Sequence, residues 1–457
     1  MNKPNVIVFL TDQQRWDTMG LHGNPLDLTP NLDYHALRHT HLANCFTPQP
    51  VCGPARGALQ TGMMPSASGC MNNGDRLPEN LPCLGSLFRN AGYRTGYIGK
   101  WHLAGGDQPK GPVTPDRRGG YDEWLGADVL EAVSRPYDCT VFDGDGREHH
   151  LPGYRSDALA DAAIRFVAKH KDQPFFLFLS LLEPHQQNSL DDYPPPQGTR
   201  ERYFGRWTPP DLEALGGSSA RHLAGYWGTV KRIDEAYGRI HDALLSLGLD
   251  QNTITLFTSD HGCHFRTRNG EFKRSCHESS IRVPGVLTGP GFAGGGHRSE
   301  LVSLIDFAPT LLNAAHLPVP STMQGRSILT RLDDRSAPWR EELLSQFNED
   351  DGGSSPRIQR VGRTLRTRRW KYAVSANVTD TTLCHYPAYT ESHLYDLEHD
   401  PYELENLVHL PQARGTCETL RERLHSAMTA AGEPACQIHP AESSGRRGQR
   451  KLAPGTE

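Results

Sequence analysis

Four short apolar runs, widely separated along the chain, constrain the fold more than any other feature of the sequence. Three of them follow a stretch with helical periodicity, so strand and helix patterns alternate. This alternation is typical of a mostly parallel β-sheet covered by helices on both faces. We therefore predict an α/β fold with one large sheet. The apolar runs are residues 6–11, 93–98, 175–182 and 253–258, and the helical stretches are residues 84–91, 157–169 and 221–247.

Polar side chains that can bind a ligand follow each of these predicted strands. Open α/β sheets bind ligands beside the carboxyl ends of their strands, where the ends of parallel strands meet. Four runs with such endings indicate one site assembled from distant segments of the chain. The residues are Asp12 and Gln13 after the first run, Lys100 and His102 after the second, His185 after the third, and Asp260 and His261 after the fourth.

The pattern of the chain changes after about residue 335. Residues 364–374 alternate between polar and apolar side chains, which predicts antiparallel strands, and residues 394–397 predict another strand. Residues 417–430 have the pattern of a helix. The predicted division is a catalytic α/β domain at residues 1–335, a smaller α+β subdomain with a small antiparallel sheet at residues 336–442, and a disordered tail at residues 443–457.

Charge and composition exclude several classes of function. The formal net charge is -5, which argues against a broadly basic nucleic-acid-binding protein. No run reaches the roughly 18 apolar residues that a membrane-spanning helix needs, so we expect no membrane association. The 10 cysteines include no Cys-x-x-Cys pair, which favours free thiols in a reducing compartment.

The first apolar run bears on where the protein works. It directly follows the N-terminal Met-Asn-Lys-Pro and is too short for the core of a signal peptide. If Met1 is the native start, we expect a cytoplasmic protein. If a signal peptide has been removed, a periplasmic or secreted location is expected instead.

The most specific local pattern surrounds Cys52. Pro54 suits the first turn of a helix, which places Cys52 at the helix N-terminus and close to Arg56. A helix N-terminus and a nearby cation both favour an anion and lower the pKa of a thiol. The residues alone are equally consistent with a buried structural cysteine in a turn.

The same segment resembles the signature of the sulfatases, in which Cys-x-Pro-x-Arg is followed after four residues by Thr-Gly, here Thr61-Gly62. In that family the cysteine is oxidised to formylglycine. The resemblance covers roughly residues 5–410 and implies an alkaline-phosphatase-like α/β fold that hydrolyses a sulfuric ester. Further segments that resemble family motifs are residues 5–14, 92–95, 99–102 and 259–262, Lys273 with 282–284, Asp306 with 309–310, and residues 394–407.

The resemblance also implies a metal site formed by Asp12, Gln13, Asp260 and His261. Oxygen ligands favour Ca²⁺, and a single imidazole also admits Mn²⁺ or Mg²⁺. Many sulfatases have a second Asp in place of Gln13 and an Asn in place of His261. In these two positions the chain is similar to the phosphonate monoester hydrolases of the same superfamily.

Residue by residue, the family mechanism assigns Asp260 to take a proton from the hydrated aldehyde derived from Cys52. His185 or Lys273 is the implied proton donor to the leaving oxygen, and His102 is the implied base that leads to release of sulfate. The residues implied to stabilise the charge on the sulfate oxygens are Arg56, Lys100, His102, His185 and Lys273.

A last group of residues is expected to contact the substrate beyond the sulfate. Asn73 resembles a family Asn near the sulfate, although Asn-Gly is also an ordinary turn. His264, Arg266 and His277 belong to a basic segment that either grips an anionic sugar or is a solvated loop. The pairs Cys263-His264 and Cys276-His277 lack the standard spacing of a zinc site, so we favour loop or substrate contacts over a second metal.

The leading interpretation is a sulfatase that acts on a sulfated oligo- or polysaccharide and needs a formylglycine-generating maturation enzyme. A phosphonate monoester or phosphodiester hydrolase is the first alternative, which Gln13 and His261 favour and Lys100 with His102 oppose. A small aryl or alkyl sulfatase is another. A third alternative is a binding protein on an inactive hydrolase fold. Such a protein usually lacks the nucleophile or the metal ligands, and this sequence has both, which opposes that interpretation. The sequence leaves the oligomeric state open.

Overall fold

The computed structural model of the chain describes residues 3–350, 359–380 and 383–442. Within these residues it contains an 11-stranded sheet and a 5-stranded sheet. The large sheet is mostly parallel at its centre and has helices on both faces, which confirms the predicted α/β fold. The predicted disordered tail, residues 443–457, lies outside the described residues.

The centre of the large sheet is built from the four predicted apolar runs. The strands at these runs are adjacent in the order β8-β1-β7-β3, and each neighbouring pair is parallel. The strands of this sheet are β1 Asn5–Thr11, β2 Thr40–Phe46, β3 Arg94–Lys100, β4 Glu123–Ala127, β5 Cys139–Asp143, β6 Glu148–Leu151, β7 Phe175–Ser180, β8 Thr253–Ser259, β9 Arg282–Val283, β10 Gly285–Thr288 and β11 Gly296–Ser303.

Alternate side chains of the central strands enter two separate hydrophobic cores. Val6 and Val8 of β1 pack in one core, whereas Ile7 and Phe9 pack in the other. Because side chains alternate across a strand, a strand that is apolar at every position is buried on both faces. The helices are α1 Pro30–Arg38, α2 Cys52–Thr61, α3 Pro65–Ser68, α4 Leu84–Asn90, α5 Leu130–Val133, α6 Arg155–Lys169, α7 Thr199–Tyr203, α8 Pro210–Leu215, α9 Ser219–Ser246, α10 Glu278–Ile281, α11 Phe307–Ala314, α12 Leu329–Asp333 and α13 Arg414–Ala430.

The sheet has a mixed edge that the sequence pattern did not reveal. β10 is antiparallel to both β8 and β2, and β11 returns parallel to β2. β2 carries the sequence Thr-His-Leu-Ala-Asn-Cys-Phe, in which polar residues interrupt the apolar pattern. Its backbone pairing and burial come from tertiary packing and not from its own hydrophobicity.

The smaller sheet lies at the C-terminus and is antiparallel except for its last pair of strands. Helix α13 packs on it and forms its core. The division of the chain into domains at residue 335 stays a prediction. The strands are β12 Glu342–Asp350, β13 Gln359–Thr367, β14 Trp370–Val378, β15 Ala388–Asp396 and β16 Gln437–His439. In the described part of the chain, no helix combines the length and apolar character needed to cross a bilayer.

Candidate active site

The predicted polar residues meet at the carboxyl ends of the central strands. Asp12 and Gln13 follow β1, Asp260 and His261 follow β8, and all four are fully buried. The four strands of the centre are parallel neighbours, so their ends form one edge of the sheet. The structure therefore brings together residues that lie as far apart in sequence as 12 and 261.

Cys52 occupies the centre of this group. It is the first residue of α2, and its side chain is buried. Its Sγ lies 3.0 Å from Lys273 Nζ, 3.3 Å from His261 Nε2 and 3.6 Å from Asp12 Oδ1. The helix N-terminus and the ammonium of Lys273 together favour negative charge at this position.

The environment shifts the pKa of the Cys52 thiol strongly. Burial raises this pKa, but the surrounding groups, first the ammonium groups of Lys100 and Lys273, together lower it by more. The net result is a pKa well below the ordinary range of a thiol. A sulfur whose anionic form is favoured is an activated group and not an inert core cysteine.

The predicted metal ligands form a compact group of donor atoms. One potential ligand atom from each of Asp12, Cys52, Asp260 and His261 lies within 4.8 Å of every other. His261 Nδ1 is 2.9 Å from the carbonyl oxygen of Gly262, to which it can only donate, so Nε2 keeps its lone pair for the group.

Gln13 provides an independent sign that this group fits a cation. Its Nε2 donates to the Tyr193 hydroxyl at 2.9 Å, whereas its Oε1 is buried without a hydrogen-bond partner. Its backbone has the left-handed conformation with φ 69°, which costs energy for a residue with a side chain. A buried amide oxygen without a partner, next in sequence to Asp12, is an oxygen donor of the kind that Ca²⁺, Mg²⁺ and Mn²⁺ prefer.

The pKa values of the two carboxylates, Asp260 and Asp12, are shifted in opposite directions. Burial and the charge of Asp12 raise the pKa of Asp260 to about 6. Burial also raises the pKa of Asp12, but the charges of Lys100, His185 and Arg56 outweigh it and lower that pKa below the usual range. Two nearby carboxyl groups with pKa values pushed apart are typical of acid–base sites.

Arg56 does not face the site in the way that the sequence implied. Its guanidinium donates to Asp12 Oδ2 at 3.0 Å and to Asp260 Oδ2 at 3.2 Å. It also donates to Ser180 Oγ and the Lys100 carbonyl, at 2.6 and 2.8 Å. These bonds use the fork of donors, so Arg56 holds the two carboxylates in place, and its buried side chain is not among those that line the cavity over the sulfur.

Lys100 and a residue missed by the sequence interpretation, Glu131, form a second buried ion pair. Lys100 Nζ lies 2.9 Å from both Asp12 Oδ2 and Glu131 Oε1. Burial raises the pKa of Glu131, but Lys100 and His102 lower it to a net value of about 2. Glu131 lies on the short helix α5 and belongs to no recognisable motif, so only the structure reveals it.

Lys273, His185 and His102 surround Cys52 on its open side. Lys273 Nζ is 3.2 Å from His185 Nε2 and 3.2 Å from His261 Nε2. His102 has φ 60°, and its Nδ1 is buried without a partner. Lys273 and His185 line the cavity over the sulfur, and the His102 side chain hydrogen-bonds Cys52.

A cavity of about 350 Å³ opens over the sulfur. Asn73 lies at its edge, where its Oδ1 accepts from the backbone N–H of Gly53 at 2.9 Å. Arg266 is at the opening and pairs with Asp191 at 2.7 Å. The lining residues are Cys52, Asn73, Glu131, His185, Gln186, Asn188, Asp191, Arg266, Gly270, Glu271, Phe272, Lys273 and Arg274.

Two of the predicted substrate contacts, His264 and His277, are not brought to this cavity. His264 Nε2 bonds to the carbonyl oxygen of Lys273 at 2.9 Å, and the side chain is buried. His277 lies against the C-terminal sheet, where it meets Tyr395 Oη at 3.1 Å. Both imidazoles point into the protein. They lie on a loop without regular structure, so the sequence gives no rule that predicts which side of the loop each side chain occupies.

Comparison with known proteins gives the site a family context. The Sulfatase family model matches residues 4–317, which is more than half of the chain. A second model, N-sulphoglucosamine sulphohydrolase, C-terminal, matches residues 270–430. Both matches include the segment that carries Lys273.

Individual relatives match along almost the whole chain. An ulvan-active sulfatase of Formosa agariphila is 28% identical over 94% of this chain and 82% of its own length. An arylsulfatase of Clostridium perfringens is 27% identical over 92% of this chain and 94% of its own length. A solved Bacteroides thetaiotaomicron protein, described in connection with glycosaminoglycan metabolism, superposes with a TM-score of 0.80 at 25% identity and covers 95% of this chain and 97% of the other.

Proposed function

The chain belongs to the sulfatase family of sulfuric ester hydrolases, and on this premise we propose that it removes sulfate from a sulfated carbohydrate. We propose further that the nucleophile is formylglycine made from Cys52 and that a divalent metal assists. The observation that carries this proposal is the position of Cys52 at the start of α2, 3.0 Å from Lys273 Nζ and inside the group of metal-ligand atoms.

The residues that would hold the metal are Asp12, Gln13, Asp260 and His261. Their oxygen atoms favour Ca²⁺, while the imidazole leaves Mn²⁺ and Mg²⁺ as candidates. When bound, such a cation supplies positive charge next to the sulfate oxygens and polarises them. The orphaned Gln13 Oε1 and the short distances among the donor atoms of Asp12, Asp260 and His261 support this assignment.

The proposed roles in proton transfer follow from position. A formylglycine hydrate supplies a hydroxyl nucleophile at residue 52, and Asp260 is the carboxylate that would hold its proton. Lys273 and His185, joined at 3.2 Å, lie on the open side of the sulfur and would protonate the leaving oxygen. His102 would act as base in the release of sulfate, and its side-chain hydrogen bond to Cys52 supports this role.

The carbohydrate part of the proposal rests on the opening of the cavity and on the relatives. Arg266 and Arg274 lie there beside the acidic side chains of Asp191 and Glu271. Such alternating charges and amides suit a polar, hydroxyl-rich ligand better than an apolar ring. Ulvan and glycosaminoglycans, named for two of the relatives, are both sulfated polysaccharides.

Burial of Cys52 bears on the maturation enzyme as a proposed partner. The residue is 1% exposed and is enclosed by α2 and the strand ends. An enzyme that oxidises this cysteine cannot reach it in the folded protein. We therefore propose that maturation precedes the completion of folding.

A panel of substrates tests the proposed specificity. We expect protein matured with a formylglycine-generating system to release sulfate from a set of sulfated oligosaccharides with a higher kcat/KM than from an aryl sulfate. A phosphonate monoester and a phosphodiester, assayed beside them, test the alternative that Gln13 and His261 favour. Faster turnover of either phosphorus ester would overturn the proposed substrate class.

A further inference from the structure

A second group of metal-binding side chains lies at the contact between the loop after Lys273 and the C-terminal sheet. It consists of Cys276 and His277 from the loop and His393 from β15. One potential ligand atom from each lies within 4.8 Å of the other two. Two adjacent loop residues, Cys276 and His277, thus lie close to His393, which is distant in sequence.

The chemistry of this group differs from that of the active site. It offers one thiol and two imidazoles and no carboxylate, which is the ligand type that Zn²⁺ prefers over Ca²⁺ or Mg²⁺. The Cys276 sulfur is fully buried and packs with Phe347 and Ala373. A hydrophobic surrounding strengthens the binding of a metal to a thiolate, because water does not compete for the ligands.

The two imidazoles already have partners that would orient them toward a metal. His277 has Ser275 Oγ at 3.1 Å from Nδ1 and Tyr395 Oη at 3.1 Å from Nε2. His393 Nδ1 has Ser392 Oγ at 3.0 Å. His277 keeps a hydroxyl on its second nitrogen whichever nitrogen binds the metal, and His393 keeps Ser392 Oγ on Nδ1 if it binds through Nε2. Such outer hydrogen bonds orient histidine ligands.

We propose that Cys276, His277 and His393 bind a zinc ion, with water as the fourth ligand. Binding requires that the Cys276 thiol lose its proton, which is released to solvent as the sulfur–zinc bond forms. Burial raises the pKa of this thiol well above its ordinary range, so the thiol keeps its proton without metal and releases it only when the metal binds. The proposal does not rest on the substrate or on the reaction at Cys52.

Three cations act on the proposed ligands: Lys371, Arg268 and Arg360. Arg268 donates to the backbone carbonyls of Glu403 and Tyr402. Arg360 pairs with Glu349 at 3.3 Å. The negative charge of the Cys276 thiolate therefore has to offset these cations when zinc binds.

The closest ammonium, that of Lys371, is paired with Glu278 Oε1 at 2.8 Å and with Glu403 Oε1 at 2.6 Å. Two carboxylates therefore offset its charge. His393 is only partly buried and lines a cavity of about 480 Å³ on the C-terminal sheet, which gives an ion a route to the group.

The Cys263-His264 pair has the same spacing but a different environment, which makes it a matched control. Cys263 Sγ meets Tyr193 Oη at 3.4 Å, and His264 bonds to a backbone carbonyl. Neither residue belongs to any group of potential metal ligands found in the described residues. A metal bound by the proposed site should therefore respond to Cys276 and not to Cys263.

Cobalt substitution tests the site by spectroscopy. In a Cys52→Ser background, which removes the active-site thiol, we expect Co²⁺ to produce a thiolate-to-metal charge-transfer band in the near ultraviolet. Cys276→Ser should abolish this band, whereas Cys263→Ser should leave it. A missing band, or one that survives Cys276→Ser, would overturn the proposal.

Metal content gives a second readout that does not depend on cysteine variants. After chelation and reloading with Zn²⁺, His393→Ala protein should retain roughly one equivalent less zinc than the parent. Zinc should also raise the Tm of the parent more than that of the variant, because binding to the native state adds stability. Circular dichroism establishes that the variant is folded, and equal zinc content in folded variant and parent would contradict the assignment.

Discussion

The floor and the rim of the active-site cavity are built in different ways. We define the floor as Asp12, Gln13, Cys52, Arg56, Lys100, Asp260, His261 and Lys273, and the rim as Asp191, Arg266, Glu271 and Arg274. Every floor side chain is at least nine-tenths buried, whereas the side chains of Arg266 and Asp191 are 37% and 36% exposed. Apart from Lys273, which lies on a loop, the floor is held by strand ends and the N-terminal half of α2, and the rim by loops without regular structure.

This difference indicates how the two parts divide their tasks. The floor contains Arg56, Lys100 and Lys273 together with two carboxylates in a region without solvent. Such an arrangement survives burial only because its charges are paired, so one change there affects several partners. The rim pairs are exposed to water and contribute little to stability, which leaves the loops free to select the substrate.

The largest effect is expected at Cys52. Cys52→Ala should lower kcat by at least about 10⁴-fold, because it removes the precursor of the nucleophile. Cys417→Ala, which alters a buried cysteine of α13 far from the cavity, should leave kcat unchanged. Initial rates on a sulfated oligosaccharide measure both, and activity retained by Cys52→Ala would show that the floor does not carry the reaction.

Lys273→Ala should produce the next largest loss. The ammonium lies 3.0 Å from the Cys52 sulfur, so its removal takes away charge stabilisation or a proton donor at the reacting group. We expect kcat to fall by about 10²–10⁴-fold, the usual range for such groups. Lys169→Ala, on the surface of α6, is the control, and an effect confined to KM would assign Lys273 to the rim instead.

Arg56→Met tests whether Arg56 acts through the carboxylates. It leaves Asp12 and Asp260 without their shared partner, which should reduce the free energy of unfolding of the metal-free protein by about 3–5 kcal/mol. Added Ca²⁺ should restore part of this loss, because the cation takes over the charge pairing. Denaturant titration with and without Ca²⁺ measures the free energy of unfolding of the variant and the parent. An unchanged value would show that the pairing of Arg56 with Asp12 and Asp260 is not essential for stability.

The smallest effect is expected at the rim. Arg266→Ala should raise KM for an anionic oligosaccharide by roughly 10–100-fold, the equivalent of one hydrogen bond to a charged group, with little change in kcat. Arg221→Ala is a matched control, since Arg221 pairs with the same Asp191 but does not line the cavity. If both variants behave alike, Arg266 acts only through Asp191.

The floor could be predicted from the sequence to a greater extent than the rim. Apolar runs with polar endings located Asp12 and Asp260, and the Cys52 motif resembled a known signature. The pairing of Arg56 was not predictable, because a sequence does not reveal which acids a buried guanidinium contacts. His264 and His277 were misplaced because an irregular loop has no period that assigns its side chains to one face.

His393 is an example of a residue whose place in the structure could not be predicted from the sequence. It follows Cys276 by more than a hundred residues and lies in a different sheet, so no spacing rule connects the two. Strand β2 was missed for a related reason, since its pairing depends on neighbours that are distant in sequence. Long-range packing therefore determined the features that local patterns could not predict.

The mass of the Cys52 peptide tests the central claim most directly. Protein produced together with a formylglycine-generating system should show a loss of about 18 Da at Cys52, the change from cysteine to the aldehyde, and no such loss at the other cysteines. This result would establish the proposed nucleophile. A Cys52 that stays unmodified while the same protein releases sulfate from its substrate would contradict the account.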